Sequence, residues 1–337
     1  MSAMLLHKEK WSEFTGKLSG KNLWAPAVQG EMKKFAPVAE GDTVHLDDDN
    51  TTVPPKALLF PQTETLCRFS FGQTDLELPE LDEEMILLGV RPCDARAMAH
   101  VEKLFRWDFE DPYYLKRRER TTLIGLACNE PGLNCFCPSV GGGPASTEGL
   151  DILMVDLGES YHIEAVTEKG KALLEELEEF LEEAPADAVQ RKEQAVQDAA
   201  AKIRRSVDPE GIPEALPQLW DDPIWQKISA ACLSCGICTY LCPTCHCFDI
   251  QDEVEGSAGR RCRMWDSCMF AEYTKHTSGH NPRPTRRERT RNRINHKYSY
   301  FVDKFGVIAC VGCGRCSTLC PVNIDLIDIL RQVKAAP

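Results

Sequence analysis

Cysteine is the residue that carries chemistry here, and its spacing is specific. Residues 232–242 read Cys232-Leu-Ser-Cys235-Gly-Ile-Cys238-Thr-Tyr-Leu-Cys242, with Pro243 behind them. Residues 310–320 repeat the pattern as Cys310-Val-Gly-Cys313-Gly-Arg-Cys316-Ser-Thr-Leu-Cys320, followed by Pro321. Each is a C-x2-C-x2-C-x3-C-P run, the spacing found in two-cluster bacterial ferredoxins. Three thiolates two residues apart can wrap one cubane only in a tight loop, which Gly236, Gly312 and Gly314 permit. The fourth cysteine of each run points away and ligates the other cluster. Cys232, Cys235, Cys238 and Cys320 are therefore assigned to one [4Fe–4S] cluster, and Cys310, Cys313, Cys316 and Cys242 to a second. Structural zinc usually takes its cysteines as separated pairs, so zinc is the weaker reading.

A third set is less regular. Cys93 and Cys128 each follow an apolar, strand-like run, and Cys135 and Cys137 come soon after Cys128. In a parallel sheet such strand ends share one edge, where ligand sites collect. Cys93, Cys128, Cys135 and Cys137 could converge there on a third [4Fe–4S] cluster, beside the start of a helix whose dipole favours an anionic centre. Buried structural thiols beside the Gly141–Gly143 turn are the alternative. Cys245, Cys247, Cys262 and Cys268 fit no metal template, and packing is the expectation for them. Cys67 reads as a small buried apolar residue.

These cysteines need two kinds of scaffold. The N-terminal part has α/β character. Met85–Val90 is a short apolar run, residues 95–105 keep helical spacing with Asp94 as an N-cap, and Thr121–Ala127 is a second apolar strand. Asp151–Leu157 and Tyr161–Val166 read as further strands, so a mainly parallel sheet is expected. Residues 168–207 read as two helices broken at Pro185, and 208–223 as a Pro-containing linker. The division expected is an α/β domain over 1–215 and an α-helical, ferredoxin-like dicluster domain over 216–337. The 67 residues between Cys242 and Cys310 form an insertion between its two motifs.

Composition narrows the classes further. The chain has 337 residues, 17 of them cysteine; five lie in residues 1–215 and twelve in 216–337. So long a chain, without a recognisable export signal, is not a disulfide scaffold. No apolar run approaches the roughly 18 residues of a spanning helix, and a non-exported, cytoplasmic protein is expected. The net charge of −13 argues against nucleic acid or an anionic membrane as partner. One stretch runs the other way: residues 281–297 carry seven Lys/Arg against one Glu. Without interleaved aromatics this reads as a contact to the cluster domain or to a subunit, not as a nucleic-acid patch. There is no G-x-G-x-x-G after a strand, no P-loop and no nucleophile–base constellation, so no catalytic residue is assigned.

Several longer stretches resemble one known family. Lys56–Leu66 (KALLFPQTETL), Gly89–Ala95 (GVRPCDA), Asp111–Arg118 (DPYYLKRR), the C-x6-C-F-C run with its GGGP, Cys242–Ile250 (CPTCHCFDI), Trp265–Cys268 (WDSC), Gly279–Pro284 (GHNPRP) and the final Cys310–Pro321 carry the likeness. Together they make the chain similar to the iron–sulfur β subunits of sulfhydrogenases (hydrogenase/sulfur reductases) and to the corresponding iron–sulfur subunits of anaerobic sulfite reductases. The resemblance implies an electron-transfer subunit that relays electrons between two others. One is a FAD- and NAD(P)-binding oxidoreductase subunit; the other is a terminal hydrogenase, sulfite or sulfur reductase, or heterodisulfide-reductase-type subunit. Cys262 stands outside the family pattern. Two other readings stay open: a reductase whose own cluster binds substrate, and a cluster-stabilised nucleic-acid protein, which the charge disfavours.

Overall fold

The computed structural model describes residues 3–47 and 50–336. Its elements in chain order are β1 (Met4–His7), α1 (Trp11–Ser19), β2 (Leu23–Gln29), β3 (Met32–Pro37), α2 (Lys56–Leu59), β4 (Thr63–Ser70), β5 (Met85–Val90), α3 (Pro92–Phe105), α4 (Pro112–Arg120) and β6 (Thr121–Leu126). There follow β7 (Ile152–Asp156), β8 (Ser160–Ala165), α5 (Glu168–Glu176), β9 (Glu182–Glu183), α6 (Ala186–Lys202), α7 (Ile212–Gln218), α8 (Ile224–Ser229) and α9 (Ile237–Tyr240). The remainder comprises β10 (Phe248–Glu255), β11 (Ala258–Trp265), α10 (Arg286–Asn295), α11 (Phe301–Phe305), α12 (Arg315–Thr318) and α13 (Leu326–Ala335).

Eight strands form one sheet in the order β3-β2-β5-β6-β7-β8-β1-β9. Its centre is parallel, from β2 through β5 and β6 to β7, and the flanking pairs are antiparallel. The central strands are apolar on both sides because both faces are covered. Ile86, Leu88, Ile124, Leu126, Ile152 and Met154 face the core under α1 and α5. Leu87, Leu123, Leu153 and Val155 alternate with them and pack with Met98, Val101 and Phe105 of α3. Each such side chain removed from water contributes about 1.5–3 kcal/mol. β7 and β8 pair antiparallel, with Leu157 N donating to Ser160 O (2.8 Å), because so short a connection has no room for the crossover that parallel pairing requires.

Two local expectations are corrected. Asp94 does not cap α3: the helix begins two residues earlier, with Pro92 in its first turn and Arg91 as an N-cap that makes no side-chain bond. The Asp94 carboxylate is instead committed to an ion pair with Arg315. Residues 208–223 are not a bare linker, because α7 lies within them. Its Ile212 and Leu216 are fully buried in a third core with Trp225, Tyr298 and Leu330. Burial of two large apolar side chains outweighs the turn character of the prolines, and Pro213 sits in the first helical turn, where a missing N–H costs nothing.

The region from residue 224 onward holds short helices and one long hairpin. β10 and β11 pair over eight registers, and β11 then pairs with β4, so a strand from the first half of the chain completes this small sheet. Beneath it Arg263 bridges Glu64 (Nη2–Oε2 2.6 Å) and Asp111, all strongly buried on the Arg263–Glu64 side, and Arg117 also contacts Glu64. Cys262 is fully buried in β11 and Cys67 half-buried in β4, both serving as packing.

Candidate metal centre

The first cysteine run leads into α9, whose N-cap is Gly236. Cys232, Cys235 and Cys238 line one cavity, and the wall opposite is completed by Cys320 and Cys316 of the second run. The four cysteines assigned to one cluster from spacing alone thus share one enclosure. Cys235 is exposed, so this enclosure reaches the surface. Burial pushes the Cys238 thiol up to about 11, against the pull of Arg293.

The basic stretch explains itself against this run. α10 starts in a capping box, Thr285 with Glu288, and turns its cations in sequence onto the cysteine loop. Arg286 Nη1 donates to Cys232 O (2.9 Å), Arg289 Nη2 to Ser234 Oγ (3.2 Å) and Arg293 Nη2 to Cys238 O (3.3 Å). The helix continues as a five-residue π turn, His296–Tyr300, from which Lys297 Nζ reaches Cys242 Sγ at 3.1 Å and Thr244 Oγ1 at 2.8 Å. Spacings of three and four residues keep all four cations on one helix face. This is a contact with the cluster domain, as the missing aromatics suggested.

Cys242 and Cys310 are buried and Cys313 and Cys316 half-buried. Burial lowers the Lys297 ammonium, but the neighbouring Cys242, Cys245 and Cys310 outweigh it and leave its pKa raised. Cys313 is raised by burial and by Cys242 and Cys316 beside it, with Arg315 opposing. Cys242 and Cys310 thus lie close to the Lys297 ammonium, and Cys313 lies close to Cys242 and Cys316.

The third set also comes together. Cys93, Cys128, Cys135 and Cys137 line a single cavity, joined there by Arg91, Gly143 and Cys313. Cys93 and Cys128 get there because β5 and β6 are parallel neighbours whose carboxyl ends share an edge. Burial, with Cys135 and Cys128 close by, pushes the Cys137 thiol up to about 12.

The second and third sets are locked to each other. Phe136 N donates to Gly312 O (2.8 Å), and Arg315 Nη1 and Nη2 grip both oxygens of Asp94 at 2.6 and 2.7 Å. Gly312 and Gly314 have φ of +66° and +74°, and a Cβ on either would stand 2.5 Å from Cys137 N or Asn134 O. Only glycine fits both the left-handed backbone and the approach of the Cys135–Cys137 loop. Sequence reasoning used these glycines for cluster wrapping and missed this second duty; it also missed Arg315 and Lys297. The i, i+3, i+7, i+11 spacing of Arg286, Arg289, Arg293 and Lys297 was visible in the sequence, but nothing marked its target.

The donors fit iron–sulfur clusters. Each set offers four thiols, with Arg293 and Lys297 or Arg315 buried alongside, and the Nε–H groups of Arg289 and Arg293 are buried with no hydrogen-bond partner among the described residues. Buried cations and unpaired donors suit an anionic centre. Buried thiols held protonated by desolvation must lose that proton to ligate metal.

Within this chain, residues 231–324 match the family described as 4Fe-4S dicluster domain. A domain of that family supports two [4Fe–4S] clusters. The whole chain is similar to the sulfhydrogenase 2 subunit beta of Pyrococcus furiosus, with 29% identity over 336 residues, spanning 99% of each chain. The likeness to sulfhydrogenase β subunits expected from the motifs is thereby borne out. No solved structure gives a significant match. Among the described residues no helix is long and apolar enough to cross a membrane.

Proposed function

We propose that this chain is the electron-relay subunit of a cytoplasmic multi-subunit oxidoreductase. A bound [4Fe–4S] cluster takes up and gives back one electron at a time. In this reading Cys232, Cys235, Cys238 and Cys320 hold the first cluster, Cys310, Cys313, Cys316 and Cys242 the second, and Cys93, Cys128, Cys135 and Cys137 a third. Residues 216–337 form the dicluster domain, and residues 1–215 add the third centre. The partners are a FAD- and NAD(P)-binding subunit on one side and a hydrogenase, sulfite or sulfur reductase, or heterodisulfide-reductase-type subunit on the other.

The observation that carries the reading is the order of the three cysteine sets. Cys316 of the second set stands on the wall of the first cavity, and Cys313 of the same set on the wall of the third. In this reading the second set adjoins both of the others, a contact order suited to hopping. Arg315 holds this order by tying the second run to Asp94, next to Cys93. Iron and acid-labile sulfide per chain, measured on anaerobically prepared protein, test it. About twelve irons support three centres, whereas about eight remove the third. Absence of any paramagnetic iron after dithionite treatment sinks the relay altogether.

A further inference from the structure

Cys247 and Cys268 lie outside all three sets, yet the hairpin brings them together. Asp266 N donates to Cys247 O (2.9 Å) just beyond the Phe248–Trp265 register, which places Cys268 beside Cys247 at the base of the hairpin. The Cys268 thiol and its backbone N–H both hydrogen-bond Cys247, as does the Tyr273 hydroxyl. Cys268 is buried, whereas Cys247 is half-buried. Both face an open groove of about 710 Å³, also lined by Trp107, Tyr273, Arg283 and His296. Among the described residues no third His, Cys, Asp or Glu side chain joins this pair in a group that could hold a single metal ion. The hydrogen bond from Cys268, first, and those of Tyr273 and the backbone, against burial, bring the Cys247 thiol down to about 6. A thiol with several donors aimed at it, a second thiol in reach and an open approach has the makings of an exchange site.

We propose that Cys247 and Cys268 form a redox-active dithiol that reacts with small disulfides entering this groove, Cys247 as the attacking thiol and Cys268 as the resolving one. Cys247 Sγ attacks one sulfur of the disulfide. The S–S bond breaks, the first thiol leaves as thiolate and takes up a proton, and a mixed disulfide remains on Cys247. Cys268 then gives up its proton and attacks Cys247 Sγ, which releases the second thiol. In sum the protein dithiol loses two electrons and two protons, and the small disulfide gains them. Cys245 adjoins both Cys242 of the second set and Cys268, so return of the dithiol by two electrons from the clusters, with two protons from water, rests on the relay reading above.

The test uses the full chain with its clusters, prepared anaerobically, incubated with 2-hydroxyethyl disulfide, blocked with iodoacetamide and read by peptide mass. Iron content is recorded on the same sample. Wild type should give a Cys247–Cys268 cross-link. Cys268→Ser should stop at a mixed disulfide on Cys247, and Cys247→Ser should lower labelling of Cys268 by at least about tenfold. Alkylated, uncross-linked Cys247 and Cys268 in iron-replete wild type overturn the proposal while leaving the relay standing. Loss of about four irons in either serine variant also overturns it, because the pair would then be a ligand set. A cross-link in protein that cannot be loaded with iron supports the dithiol and counts against the relay.

Discussion

The two cysteine runs share one spacing and have different surroundings. The first opens outward: Cys235 is exposed, Leu233 keeps 61% of its surface, and the cations of α10 border its loop. The second is buried: Cys310 and Val311 are covered, and Gly312 and Gly314 lie backbone against backbone with the Cys135–Cys137 loop. The same eleven-residue device can thus serve as a surface terminal or an internal junction, depending on what packs on it. Solvent exposure and nearby charge are among the quantities that set a cluster's potential, so the two centres are expected to differ despite equal ligands.

The contrast can be broken most severely at the junction. Gly312→Ala puts a methyl into the backbone of Cys137 and strains a left-handed residue. It should cost about four to eight irons per chain, from the second and third sets, while iron at the exposed first set is retained. Uniform loss across all three would show that the sets are not separable in this way. Arg315→Ala removes the partner of a carboxylate that is 1% exposed. Leaving Asp94 buried and unpaired should lower stability by about 3–5 kcal/mol, read from the anaerobic denaturant midpoint. Alanine at the outward-facing Arg286, whose contact with Cys232 O is exposed, should change stability by no more than about 0.5 kcal/mol and leave iron content intact. A large loss there would place the first run deeper in the cooperative core than its exposure implies.

Much of the candidate site was legible because its thiols are local. Eleven residues fix three or four thiols of one type at one spacing, and that demand is written directly in the chain. The strands Met85–Val90 and Thr121–Leu126 were equally readable, since burial on both faces leaves a continuous apolar run. Reading failed where long-range partners overrode local preference. Asp94 is a good N-cap residue by type, but Arg315, 221 residues away, takes its carboxylate. Residues 208–223 look like linker by their prolines, but a core built by α10 and α13 buries Ile212 and Leu216.

Sequence alone therefore determined the repeated thiol spacing, its fit to a 4Fe-4S dicluster domain, and that the middle of the chain folds as a sheet. Tertiary structure decided the wiring. Which run faces water, which abuts Cys93 and Cys137, where the cations of α10 end and how Cys247 meets Cys268 all depend on contacts between distant segments. Short-range spacing encodes ligand geometry, because a few bonds fix it. Neighbourhood is encoded only by the packing of whole elements, which no single stretch of residues contains.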